Sequence, residues 1–345
     1  MSLHEEIREQ PAVLARLLAG QADAVRTVAR ELRGHRVQWV LLAARGTSDN
    51  AGLYAQYVWG SRNRLAVAMA TPSLFTHYGT PPALAGALVV GISQSGQSPD
   101  IVGVLAEARR QGVPTLAITN EPTSALAREA TWVLPTGAGP ELAVAATKTY
   151  TTQLLSIAML SAALRDDEES FAALDGVPAA VATALALDEA IAAAVGRYRE
   201  IARCVVLGRG FHYATACEWA LKLEELTYAV AEPYSTADFR HGPLAMVSAG
   251  FPVLAVSPGG AVHADVLALL TSVVRERGAD LVAISDRDDL LALATTPLRL
   301  AADLPEWLRP IADIVPAQLF CYHLATAMGR DTEKPRGLSK VTKTW

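Results

Sequence analysis

The chain has 345 residues, 51% of them apolar and 19% charged, with a formal net charge of -5. That length suits two domains of about 150 residues better than one, and the apolar share excludes a largely disordered chain. The acidic balance and the lack of a dense Lys/Arg cluster exclude a nucleic-acid-binding surface, and the longest apolar tract, Leu154 to Leu164, is shorter than the about 20 residues that cross a bilayer, so no membrane partner is expected.

The N-terminus turns acidic at Glu5 and Glu6 before any apolar run could act as a signal peptide, so a cytoplasmic location is expected. Ile7, Val13, Leu14, Leu17, Leu18, Val25, Val28 and Leu32 then recur at helical spacing, which predicts an N-terminal helical segment over residues 1–35. Val37 to Ala43 reads as a strand closed by Arg45-Gly46-Thr47-Ser48-Asp49, a turn with a helix cap. The same grammar repeats at Leu88 to Ile92, Thr115 to Ile118 and Trp132 to Leu134, with a helix over Ile101 to Gln111 between the first two. Apolar strands alternating with helices predict a parallel sheet covered on both faces, here over residues 36–170.

Ala172 to Val195 is rich in alanine and reads as a helical connector, residues 171–195. A second round follows over residues 196–330, with strands at Val205 to Leu207, Val253 to Val256 and Leu281 to Ile284. Gly46 and Gly208, Ser93 and Ser257, Thr119 and Ser285 keep nearly constant separations, as an internal duplication would leave them. The last segment, 331–345, is polar, contains Pro335-Arg336-Gly337 and reads as an extended tail that would be disordered on its own. Cys204, Cys217 and Cys321 lie apart in apolar stretches without C-x-x-C spacing and are expected to be buried free thiols.

Three groups of residues could carry chemistry. Loops at the carboxyl ends of strands in such a sheet collect anions, because helix N-termini there offer unpaired N–H groups. Ser93-Gln94-Ser95-Gly96-Gln97-Ser98 supplies hydroxyls, amides and a glycine that permits close backbone approach, and Thr47 and Ser48 add donors; an ordinary Ser-rich turn has the same composition. Glu218, Lys222 and Glu225 fall on one face of a helix beside an apolar stripe of Trp219, Leu223, Leu226 and Val230, a spacing that a solvated Glu–Lys pair also satisfies. His241, before Gly242-Pro243, is a loop histidine able to titrate near neutrality, or a surface one. His77, His212, His263 and His323 show no partner spacing.

Gly46-Thr47-Ser48, Ile92 to Gly96, Ala138-Gly139-Pro140-Glu141 followed by Thr147-Lys148, Glu218 to Tyr228, His241-Gly242-Pro243-Leu244 and Pro335 to Lys340 occur in an order that resembles the tandem phosphosugar isomerase (SIS) family. The family includes the isomerase half of glucosamine-6-phosphate synthase and free-standing glucosamine-6-phosphate deaminases. The resemblance covers nearly the whole chain and implies two tandem doubly wound, flavodoxin-like α/β domains. It implies phosphate binding by Thr47, Ser48, Ser93, Gln94, Ser95 and Ser98, with Glu141 and Val144 as further substrate contacts. It makes Glu225 the base that moves a proton between C1 and C2, with Glu218 and Lys222 beside it. His241 becomes the ring-opening group, Lys340 the residue that meets the open-chain carbonyl, and the enzyme a homodimer with shared active sites that needs no metal or organic cofactor.

Two departures bear on specificity: Arg45 stands where synthases often have Cys, and Ala146 where they have Ser. The sequence begins Met1-Ser2, without the glutaminase domain and leading Cys of the synthases, so the expected reaction is the reverse one, deamination of an amino sugar phosphate such as glucosamine 6-phosphate to fructose 6-phosphate. The alternatives are a deglycase or deaminase for fructosamine 6-phosphate or galactosamine 6-phosphate, and a non-catalytic phosphosugar sensor.

Overall fold

The computed structural model describes residues 2–301 and 303–340. It contains two five-stranded sheets in which all pairings are parallel. The first holds β1 (Trp39–Ala43), β2 (Ala66–Met69), β3 (Ala87–Ser93), β4 (Thr115–Thr119) and β5 (Trp132–Pro135) in the order β2-β1-β3-β4-β5. The second holds β6 (Arg203–Gly208), β7 (Val230–Ser235), β8 (Pro252–Val256), β9 (Asp280–Ser285) and β10 (Thr296–Arg299), and read from the other edge its order is β7-β6-β8-β9-β10. The two orders are the same flavodoxin-like 2-1-3-4-5 winding, so the duplication expected from the sequence is present in the topology.

Central strands are continuous apolar runs because both faces of a parallel sheet are covered: β3 and β4 are buried at every position. The edge strands β2, β7 and β10 are not legible in the sequence for the complementary reason. They are half exposed, and Glu232, Pro233 and Pro297 interrupt β7 and β10, which only an edge tolerates. Val230, expected in the apolar stripe beside Glu225, is instead the exposed first residue of β7.

Each sheet has its own core. In the first, Leu41, Val89 and Ala117 meet Ile101 and Leu105 of the helix Pro99–Arg110. In the second, Leu207, Val253 and Leu281 meet Val266 and Leu270 of the helix His263–Arg275. The helix Lys148–Arg165, which contains the longest apolar tract, is buried on all sides from Lys148 to Ala163. It packs on the helices Gln10–Gly34 and Thr47–Asn63.

The compact units do not follow the linear segments at 1–35, 171–195 and 331–345. Among the described residues, the N-terminal unit comprises Glu9–Glu141, Lys148–Gly176 and residues 339–340; the C-terminal unit comprises residues 2–8, Leu142–Thr147 and Val177–Leu338. Buried polar groups account for the exchanges. Glu6, within the helix Leu3–Arg8, accepts hydrogen bonds from the backbone N–H groups of Leu142 (2.5 Å) and Ala143 (3.3 Å). The region expected as a connector is helical, and its helix Val177–Leu185 belongs to the C-terminal unit. Residues 331–338 are not a loose tail: Arg336 N–H donates to the Tyr228 hydroxyl at 2.8 Å, and the Arg330 and Arg336 guanidinium groups lie 5.0 and 4.7 Å from the Tyr228 ring centre. The part of the expected tail beyond Lys340 lies outside the described residues. Among the described residues no single helix is long and apolar enough to cross a membrane. All three cysteines are free and buried, and burial pushes the Cys204 thiol up to about 12.

Candidate functional site

In the N-terminal unit the hydroxyl-rich residues gather at the carboxyl edge of the sheet. β1 and β3 are neighbours in register, Ala43 opposite Gly91, and the loops that follow them carry Thr47, Ser48 and Ser93 to Ser98. Ser48 is buried, and its hydroxyl accepts from Gln153 Nε2 at 3.0 Å. The Ser93 hydroxyl accepts from Gly96 N–H (3.1 Å) and the Ser95 hydroxyl from Gln97 N–H (3.3 Å), so the loop meets its own donors with neutral oxygens. The carbonyl of Gln94 accepts from Asn120 N–H at 3.2 Å. Ser98 precedes the helix Pro99–Arg110 at its N-cap in an extended conformation, without a side-chain cap bond.

Gly96 is the conformational key of this loop. It has φ +59°, and a Cβ there would lie 2.1 Å from Ser124 Oγ. The backbone therefore turns through a space that only glycine fits. Arg45, absent from the expected site, has its Nε 2.8 Å from Asp100, which is 1% exposed. Burial raises the Asp49 carboxyl above its ordinary value, and Arg45 opposes that shift in part.

The same unit holds Glu141 and Lys340. Glu141 is buried and accepts from Thr149 N–H (3.1 Å), Thr149 Oγ1 (2.7 Å) and Lys340 Nζ (2.7 Å). Lys148, 1% exposed, bonds the Pro140 carbonyl at 2.5 Å and pairs with Glu9. Val144 lies in the stretch Leu142–Thr147 of the C-terminal unit and is half-buried.

In the C-terminal unit the acidic stripe lies on the helix His212–Thr227, which follows β6. Spacing alone admits a solvated pair; the structure buries it. Glu218 is 0% and Lys222 1% exposed, with Lys222 Nζ 3.5 Å from Glu218 and also paired with Glu225. Glu225, 21% exposed, is the outermost of the three. One ammonium thus bridges a buried carboxylate and a reachable one, an arrangement that fixes the reachable carboxylate in place. The helix ends at Tyr228 in the left-handed conformation, φ +65°.

His241 is exposed on the turn after the short helix Thr236–Phe239. His212, which shows no partner in the sequence, is buried, with Nε2 2.9 Å from Asp313; Arg309 Nε lies 3.4 Å from the same carboxylate. Its partner is a hundred residues away along the chain, so no local spacing could have revealed it.

A model of the SIS domain family matches residues 36–163 and again residues 198–328. An isomerizing glutamine–fructose-6-phosphate aminotransferase of Bordetella parapertussis is 36% identical, the match covering 98% of this chain and 57% of that protein. The chain therefore spans little more than half the length of such relatives. The C-terminal domain of glucosamine-fructose-6-phosphate aminotransferase from Francisella tularensis has a TM-score of 0.86 at 29% identity, over 96% of this chain and 98% of that one. A glucosamine-6-phosphate deaminase from Thermotoga maritima, at 22% identity and a TM-score of 0.79 over the whole of both chains, shares the fold. With the family model matched twice along most of its length, once on each sheet, the chain belongs to the SIS domain family.

Proposed function

We propose that the chain is an aldose–ketose isomerase acting on an amino sugar phosphate, releasing ammonia from glucosamine 6-phosphate to give fructose 6-phosphate. The observation that carries this reading is the Glu218–Lys222–Glu225 stripe, with a buried ammonium holding a reachable carboxylate in place. The phosphate is the anchor and does not react; Thr47, Ser48, Ser93, Gln94, Ser95 and Ser98 take that role, and Glu141 and Val144 contact the sugar.

His241 opens the ring, and Lys340 meets the aldehyde at C1. Glu225 then takes the C2 proton and delivers it to C1, which converts the C2 amine to an imine. Water adds to the imine carbon, and ammonia leaves as the ketone forms. Atoms balance with one water consumed. The active form is a homodimer with shared sites, a point that mixing inactive Glu225 and His241 variants tests through recovered activity.

Ammonia release should be assayed over glucosamine 6-phosphate, galactosamine 6-phosphate and fructosamine 6-phosphate, with the reverse reaction run from fructose 6-phosphate and ammonium. Glu225→Gln keeps the side-chain shape and should cost about 10²- to 10⁴-fold in turnover, with phosphosugar affinity unchanged within a few-fold. Normal turnover by that variant would end this mechanism. Phosphosugar binding without ammonia release from any of the three would leave the sensor reading in its place.

A further inference from the structure

Within the C-terminal unit, His4, Asp188 and His323 come from segments far apart in the chain and converge on one point. Asp188, the first residue of the helix Asp188–Ala194, presents its two carboxylate oxygens to two imidazoles: Oδ2 is 2.8 Å from His4 Nε2 and Oδ1 is 2.6 Å from His323 Nε2. The side chains are 25%, 17% and 17% exposed for His4, Asp188 and His323, enough for solvent to reach the cluster. Their ring planes are fixed by neighbours. His4 stacks on Tyr322 with centroids 4.7 Å apart and planes 3° from parallel, and Tyr322 meets His323 edge-on at 5.0 Å.

We propose that His4, Asp188 and His323 form a binding site for a divalent ion of the zinc type, with water completing the coordination. Two imidazoles and a carboxylate are a donor set that such ions favour. The three ligand atoms lie within 4.8 Å of one another. Metal–ligand bonds of about 2.0–2.2 Å at tetrahedral angles separate ligand atoms by roughly 3.3 Å, so the ion enters by widening the two His–Asp contacts of 2.8 and 2.6 Å by well under an ångström, while the two imidazole nitrogens already lie within 4.8 Å of each other. Arg8, with its guanidinium 3.6 Å from Asp188 and its side chain 65% exposed, is free to swing into solvent when the ion supplies the positive charge. The ion is structural: it ties the helix Leu3–Arg8 to the helices Asp188–Ala194 and Arg309–Ala327, and it has no part in the proton transfer assigned to Glu225.

The test uses the whole chain, stripped with a chelator and titrated with zinc chloride at neutral pH by calorimetry, with the thermal midpoint followed in parallel. Wild type should take up one equivalent saturably and unfold at a higher temperature with zinc than without. Asp188→Asn and His323→Ala should each weaken binding at least tenfold and remove the midpoint shift. His4→Gln, at the most exposed of the three side chains, keeps the test decisive should either of the others fail to fold. Absence of saturable uptake by wild type, or equal uptake by the variants, would overturn the site.

Discussion

The two sheets share one topology, yet the loops at equivalent strand ends have opposite electrostatic fates. After β3, the N–H groups of Gly96 and Gln97 meet the neutral hydroxyls of Ser93 and Ser95, in front of the helix Pro99–Arg110. After β8, Gly259 N–H donates to Asp286 Oδ1 at 2.7 Å and Ala261 N–H to the Glu306 carboxylate at 3.2 and 3.3 Å. The C-terminal copy thus meets its loop N–H groups with its own carboxylates, while the N-terminal copy meets them with uncharged hydroxyls, the state the proposed phosphate site requires. The helix after the first strand of each sheet diverges as well. The one after β1 offers Thr47 and Ser48; the one after β6 offers Glu218, Lys222 and Glu225. One duplicated scaffold thus carries two different sets of polar side chains at equivalent positions, which is what separates a site from a fold.

Lys222→Met should show the largest effect, because it leaves Glu218 charged and buried without its ammonium. A loss of about 3–5 kcal/mol is expected from the unfolding midpoint in urea, and Glu218→Gln in the same chain should restore most of it. A single variant as stable as wild type would mean that the stripe is solvated after all. Gly96→Ala comes next. A side chain with φ +59° costs about 1–2 kcal/mol, and its Cβ collides with Ser124, so both the thermal midpoint and phosphosugar affinity should fall, the latter at least tenfold. The paired change Ser93→Ala and Ser95→Ala should lower phosphosugar affinity about tenfold, roughly 1.4 kcal/mol, and should also lower the midpoint, because the Gly96 and Gln97 N–H groups lose their acceptors. Calorimetry on that pair separates a ligand loop from an ordinary Ser-rich turn, since a turn would lose stability and leave affinity unchanged.

What could be read from the sequence follows the length scale of each interaction. Central strands such as β3 announce themselves because burial on both faces makes them unbroken apolar runs, whereas Pro233 and Pro297 hide β7 and β10. Gly96 and its serines, and the spacing of Glu218, Lys222 and Glu225, are local and therefore legible in the residue order itself. Their burial is not, because it depends on what the rest of the unit lays over the helix. Partners distant along the chain are invisible in principle: Asp313 for His212, Asp188 for His4 and His323, and Glu306 for the loop after β8. The assignment of Leu3–Arg8 to the C-terminal unit fails to appear for the same reason, since Glu6 meets Leu142 and Ala143 only in the folded chain.

The closed loop of the C-terminal copy can be opened by acid. Burial alone would raise the Asp286 carboxyl, but its bonds from Arg309 (2.6 Å) and from Gly259 N–H outweigh that and hold it below its ordinary value of 3.8. A carboxyl whose folded pKa is depressed contributes stability that is fully present above the unfolded value and is lost as pH falls through the folded one. Wild type should therefore keep this contribution down to about pH 4 and lose it in the more acidic range. Asp286→Asn, which cannot ionise, should be less stable at neutral pH by about 1–2 kcal/mol, the low end for hydrogen bonds to a charged group that solvent partly screens, and its deficit should shrink as pH drops below 3.8. Chemical unfolding of both proteins from about pH 7 to about pH 3 reads this directly. A deficit constant across that range would show that the carboxylate charge does not hold the second loop shut, and the contrast between the two copies would then rest on shape alone.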